Sequence, residues 1–461
     1  MWWKRSAKCW MYGSEKSTRA GKRRKERRLN VAFAGTILAL AVWGCGNNGK
    51  TDGYGKAAGY EDAGMDGEVG GEEAVDEDMA LDRQEEDLQI ASGKAAEAYR
   101  DIYERAVQEN ALGSLETTKA IVDRMGEYGY CAIDQENKNQ VNLTHPELVK
   151  EWIGLAEEGK DGRQTIFSIM DDGGFIRFDL ESEKGTIFVT RSVLHWKGGM
   201  PEVDYTERYP AGEWKYSQNG YLFFRKEVPA GYDGSQGYTA IRVEPLDEKC
   251  REWNRKYILP IGYGANDMFL EDWTEGEWEV LDFDDLFAKL YSCAYGVPIP
   301  YEQSVDGTSY LVPEKEYETV IQSYFSIDKK ALRIRQGYVE EKEAYEYRTR
   351  GFYDCASSPN IPYPEVVSYE ENEDGTVCLT VNAVWPKENM ERAFCHEVTV
   401  RPMENGGFRY ISNRVIPSDE NAEPTWYVEK LAYFDTNTTP KASGPICAPI
   451  VAPTWSLWLT S

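Results

Sequence analysis

Apolar positions along this chain follow two rhythms, one near 3.6 residues and one of two, and the switch between them divides it into elements. From Ala95 onward, Ala98, Ile102 and Ala106 recur at helical spacing, and Leu115 to Met125 supplies a second helical stretch. Over residues 165–245 the period drops to two. Thr165 to Met170 and Phe175 to Leu180 flank Asp171-Asp172-Gly173-Gly174, a hairpin signal. Thr186 to Trp196, Val203 to Tyr209, Glu213 to Tyr216 and Tyr221 to Glu227 continue it as an antiparallel meander. Helical spacing returns at Asp247 to Tyr257 and Asp282 to Tyr291.

A second cycle begins near Pro313. Glu314 to Tyr324 reads as a helix with acidic residues in its first turn, where the helix dipole favours them. Ser326 is expected to cap another helix, Ile327 to Arg335. Strands follow at Glu343 to Arg348, Val366 to Glu370, Thr376 to Trp385, Phe394 to Arg401 and Phe408 to Val415, with turns at Asp374-Gly375 and Asn405-Gly406-Gly407. The pattern predicts an α+β protein of two domains, 93–310 and 311–431, each with N-terminal helices packed on an antiparallel sheet. Helices followed by a long curved sheet make the second similar to a nuclear-transport-factor-like or cystatin-like cone, which names no activity.

Outside those domains the composition changes. Lys22 to Arg28 is a dense basic cluster, and Leu29 to Trp43 follows without a charged residue. That run is shorter than the roughly 20 residues of a membrane span and has the length of a signal-peptide core. Val42-Trp43-Gly44-Cys45 closes it in the manner of a lipoprotein cleavage site, with Trp43 departing from the small residue usual there. The expectation is a leader and signal peptide over 1–44 and lipid attachment at Cys45, which would hold the protein to a membrane on its extracytoplasmic face. An uncleaved signal anchor is the alternative. Residues 45–92 are Gly-rich and then acidic, the composition of a disordered tether. Residues 432–461 form an atypical tail with one charge, Lys441.

The formal charge is −27, and residues 1–44 carry 11 Lys/Arg against 2 Asp/Glu, a net +9, leaving −36 on the rest. Such a surface repels polyphosphates, so nucleic acid is not an expected partner. Seven cysteines follow Cys45, scattered singly: Cys131, Cys250, Cys293, Cys355, Cys378, Cys395 and Cys447. A symmetric turn around Lys387 to Met390 sets Cys378 opposite Thr399 and Cys395 opposite Asn382, too far out of register for a disulfide.

Candidate chemistry is sparse. His145, His195 and His396 are the only histidines, with no HExxH, so neither a metal nor a cofactor is expected. Ser326-Ile327-Asp328-Lys329 matches S-x-x-K, but S-D-N and K-T-G companions are missing and helix capping accounts for the serine. Glu370, Asn372, Asp374 and Gly375 imitate the start of a calcium loop whose twelfth position, Val381, cannot ligate. A hairpin turn explains them better. Asp171-Asp172 reads as turn chemistry, although a carboxylate there could serve a glycosidase pair. Two loops, Arg350 to Pro364 and Tyr257 to Phe269, are longer and more aromatic than connections require, suiting either a functional role or interdomain packing.

Met125-Gly126-Glu127-Tyr128-Gly129-Tyr130-Cys131-Ala132-Ile133-Asp134, Gly231 to Tyr263 and Gly351 to Asn372 resemble an uncharacterised lipoprotein family of anaerobic Gram-positive bacteria. The likeness runs from about Ala95 to Leu431. It implies a location and no reaction, because the family is a domain of unknown function. The expectation is a non-enzymatic binding or structural module of the cell envelope, with cell-wall glycan or an envelope protein as partner. The alternative is a carboxylate-dependent cell-wall or oligosaccharide hydrolase.

Overall fold

The structure is a computed structural model, and it describes residues 86–430 apart from 136–137, 233 and 357–359. The signal segment, Cys45, most of the tether and the tail lie outside the described residues. Residues 86–97 are helical, with Ser92 fully buried and Gln89 bonded to the Pro201 carbonyl, so the expected tether does not extend over 86–92; the helix leads into α1 (Arg100–Glu109) and α2 (Leu115–Glu127). Ser114 starts α2 by accepting a hydrogen bond from the Thr117 amide at 3.2 Å. Next come β1 (Cys131–Asp134), α3 (Pro146–Glu157), with Pro146 pre-set at its first turn, and β2 (Gly162–Ile169).

β1 pairs with β2 in parallel, Cys131 opposite Ile166, so β1–α3–β2 is a βαβ crossover. The expected all-antiparallel meander did not include this strand, which at four residues is too short to show a period. The antiparallel part runs on through β3 (Phe175–Glu183), β4 (Thr186–Lys197), β5 (Met200–Tyr216), β6 (Tyr221–Lys226) and β7 (Thr239–Arg242), giving seven strands in sequence order. The β2–β3 turn falls at Asp171 to Gly174. Gly174 is required there, since a Cβ would sit 2.3 Å from the Leu194 carbonyl oxygen. β5 is one strand and not two; a bulge between Ala211 and Glu213 bends it.

Alternation along β1 and β2 buries both faces of this sheet. Cys131, Ile133 and Ile166 pack with Val149, Trp152 and Ile153 of α3. Ala132, Phe167 and Ile169 pack with Tyr99, Ile102, Ile121 and Met125 of the first helices.

The second core draws on residues from Leu246 to Trp426. It includes α4 (Glu248–Trp253), a π-turn at Asn254–Ile258, β8 (Trp273–Thr274) and α5 (Phe283–Tyr295). Residues 246–310, placed with the first unit on sequence, therefore contribute their apolar side chains to the second. β8 makes the reason visible: it pairs with the far edge of the second sheet, Trp273 opposite Asn413. The remaining elements are β9 (Ser309–Pro313), α6 (Glu314–Tyr324), α7 (Lys329–Arg335), β10 (Tyr338–Val339), β11 (Ala344–Arg348), β12 (Tyr363–Glu371), β13 (Val377–Val384), β14 (Cys395–Pro402) and β15 (Phe408–Val415). They form a three-stranded sheet, β10-β11-β9, and a five-stranded antiparallel sheet, β12-β13-β14-β15-β8. The fold is thus mixed α+β with large curled antiparallel sheets.

Register in β13–β14 sets Cys378 opposite Thr399 and Cys395 opposite Asn382. The six cysteines among the described residues form no disulfide with one another.

Candidate functional site

Where the two sheets meet, charged side chains are buried together. Glu365 of β12 is 2% exposed and Arg242, the last residue of β7, is 8% exposed. The Arg242 guanidinium donates to the Glu365 carboxylate at 2.7 Å and lies over the Tyr221 ring, 5.2 Å from its centroid. The Tyr221 hydroxyl donates to the same carboxylate at 2.6 Å, and the Asn139 side-chain amide donates to it as well. Asn139 in turn accepts from Arg251 of α4 at 2.9 Å. Asp134, ending β1, completes the group and accepts from the Gln140 amide at 2.7 Å. An apolar patch of Tyr221, Phe223, Ala240 and Val384, with Tyr363 against it, borders these polar groups.

Burial dominates the electrostatics. It raises the Asp134 carboxyl to about 6, with the Gln140 amide and Arg251 pulling the other way. It raises Glu365 too, against the opposing pull of Arg242. It lowers Arg251, whose counter-charges are Asp134 and Glu365. The seam holds two carboxyls and two guanidiniums, so it balances in charge, and that balance is what makes ionised groups tolerable in a dry interior.

A second buried charge cluster sits at the start of α5. Asp282 caps the helix, accepting from the Asp284 and Asp285 amides at 2.9 and 3.1 Å. Arg350 holds Asp285 at 2.6 Å and donates to the Val428 carbonyl at 2.8 Å. Lys430 reaches both Asp282 and Asp285 at 3.3 Å. Trp426 stacks on Phe394 and meets Trp385 edge-on, so residues 426–430 are strapped onto the second core. Burial pushes Asp284 and Asp267 up to about 6.

The residues singled out by sequence scatter. Cys45 lies outside the described residues. His145 sits on the junction of α2 and α3, one ring nitrogen 2.8 Å from the Gly126 carbonyl oxygen and the other 3.1 Å from Glu147. His195 pairs with Asp172 at 2.5 Å on the hairpin tip, and Asp171 pairs with Lys138. His396 is fully buried between the Tyr263 hydroxyl and Asn413, and burial lowers its pKa to about 4. The S-x-x-K residues do not meet: Ser326 accepts from Arg409 at 3.2 Å, while Lys329 pairs with buried Glu318 at 2.7 Å. Asp328, not Ser326, caps α7, accepting from the Ala331 amide, because that helix starts two residues later than its pattern suggests. Asp374 and Asn372 hold a hairpin turn, both bonding Thr376. Of the two long loops, Tyr257 to Phe269 is a packing element, while Arg350 to Pro364 exposes Phe352 and Tyr353. Tyr257, Ile261, Tyr263 and Phe269 are core residues, and Gly264 lies against Ile361 of the other loop.

Sequence reasoning missed the seam because its members span Asp134 to Glu365. The available signal was a charge set inside or at the end of a short apolar strand: Cys-Ala-Ile-Asp134, Thr-Ala-Ile-Arg242 and Glu365 before Val366-Val367.

Among the described residues, no helix is long and apolar enough to cross a membrane, and no cluster of three or more His, Cys, Asp or Glu could hold a metal ion. Fold and seam together define an α+β protein whose seven-stranded and five-stranded sheets are joined through a buried charged interface. The chain belongs to DUF6070, a family of unknown function, whose model matches residues 85–430. No curated protein and no solved structure matches it.

Proposed function

We propose that this is a lipid-anchored, extracytoplasmic module that binds or organises a component of the cell envelope and performs no catalysis. Cys45 would carry the lipid and residues 45–84 would form the leash. The family match covers 85–430, so the anchor and leash precede the shared body. The observation that carries the reading is the seam, where Arg242, Glu365, Tyr221 and Asn139 commit to one another. A body whose two sheets are welded by buried charge is suited to presenting a fixed surface. The second unit's helices and curved sheet keep the cone-like comparison as part of this proposal.

The hydrolase reading would draw on Asp171 and Asp172, which are engaged by Lys138 and His195. The raised carboxyl of Asp134 borders a cavity of about 10 Å³, too small for a sugar ring.

A thermal-shift screen of the mature chain against cell-wall fragments, oligosaccharides, peptides and divalent cations tests the proposal. A ligand at a hundredfold excess over Kd stabilises by roughly 2.7 kcal/mol. A reproducible shift without turnover supports binding. Release of cleaved product from any of these substrates would replace the proposal with the hydrolase.

A further inference from the structure

The seam encloses a small cavity of about 10 Å³, lined by Ile133, Asp134, Asn139, Ser168, Arg242 and Tyr363 among others. Three of its lining residues carry a buried polar atom that finds no hydrogen bond of normal geometry: Asp134 Oδ1, Arg242 Nε and Tyr363 OH. Asp134 itself is 2% exposed. An unmatched buried acceptor and an unmatched buried donor each cost about 1–3 kcal/mol, so a native interior rarely keeps them together beside open space.

We infer that this cavity is a built site for one water molecule that bridges the two sheets. The size fits, since a single water needs about 10–15 Å³ of such space. The chemistry selects water over an ion. A cation would face the Arg242 guanidinium, and chloride would face the Asp134 carboxyl. Water alone accepts from Arg242 Nε, donates to Asp134 Oδ1, and shares a third hydrogen bond with Tyr363 OH. Three partners is the usual count for a buried water.

The bridge has a structural consequence. Asp134 and Arg242 belong to opposite ends of the seven-stranded sheet's strand order, and Tyr363 begins β12 of the other sheet. Water at their meeting point joins β1, β7 and β12 without requiring any of the three to approach another directly. It also separates the direct ion pair, Arg242 with Glu365, from Asp134, whose own carboxylate is left facing water and the Gln140 amide.

Crystals of the mature protein, with diffraction good enough to place waters, test the inference. The expected result is one peak within hydrogen-bond distance of Asp134 Oδ1 and Arg242 Nε, with no anomalous signal after bromide exchange for chloride. Tyr363→Phe, which deletes only the hydroxyl and so removes one partner, should retain the peak on the other two atoms. An empty cavity, a direct Asp134–Arg242 hydrogen bond closing it, or a bromide peak would each overturn the inference.

Discussion

Removing either member of the Arg242–Glu365 pair should destabilise the protein, but with different pH dependence. In Arg242→Met, Glu365 keeps Tyr221 and Asn139 as donors and Arg251 as an unbonded counter-charge, and loses the paired one at 2.7 Å. A buried carboxylate left so escapes by taking up a proton. The cost is then capped by protonating a group that is ionised in the unfolded chain: at most about 1.4 kcal/mol for each pH unit above 4.3, or roughly 3.7 kcal/mol at pH 7, less what burial already costs wild-type Glu365, whose pKa is raised. The folded state binds the extra proton, so the loss of stability grows with rising pH and shrinks to about 1 kcal/mol near pH 5. Glu365→Leu is the contrary case. Arg242 cannot shed its charge, so its cost, about 3–5 kcal/mol for an orphaned buried ion, should stay flat from pH 5 to 8. The double variant Arg242→Met/Glu365→Leu should recover most of the loss, because an apolar pair of similar volume has no ion to desolvate. Urea unfolding of all four proteins at half-unit pH steps measures this. Equal pH slopes for the two single variants, or additive losses in the double, would refute the reasoning.

Asp134→Asn should shift the pH profile: relative to wild type the variant should gain at most about 3 kcal/mol between pH 4 and 6, the span from 3.8 to about 6, and hold level above it, from a baseline lowered by leaving Arg251 one counter-charge fewer, read from the same urea titrations. His145 has an acceptor against each ring nitrogen, the Gly126 carbonyl first and then Glu147, and its pKa is raised accordingly. Its contribution is present below the unfolded value near 6.5 and lost as pH rises through the folded one, so His145→Asn, which suits the left-handed backbone there, should flatten stability across pH 6 to 8. Trp426→Ala should cost about 3–5 kcal/mol by opening a cavity between Trp385 and Phe394, and limited proteolysis should then release the 426–430 strap.

Period and turn chemistry made most local elements legible. Glu314 to Tyr324 and Phe408 to Val415 form as their patterns indicate, and the register of β13 with β14 follows from the turn at Lys387 to Met390. What escaped was long-range. Residues 246–310 carry no mark of which core they join, because helical periodicity says that a face is buried and not against what. β8 has two residues, below any period, yet it sends Trp273 into the second sheet. Ser326 gave way to Asp328 as a cap because both are good capping residues two positions apart. The seam is the clearest case: Asp134, Arg242 and Glu365 each look like an ordinary charged residue until the sheets are brought together.

The central claim, an anchored extracytoplasmic module, is tested most directly by the intact mass of the protein extracted from membranes of an expressing bacterium. The account predicts a chain beginning at Cys45 and carrying the added mass of a diacylglyceryl group, with Cys45→Ala abolishing both cleavage and lipid. A chain that retains residues 1–44, or one cleaved elsewhere and bearing no lipid, would contradict it.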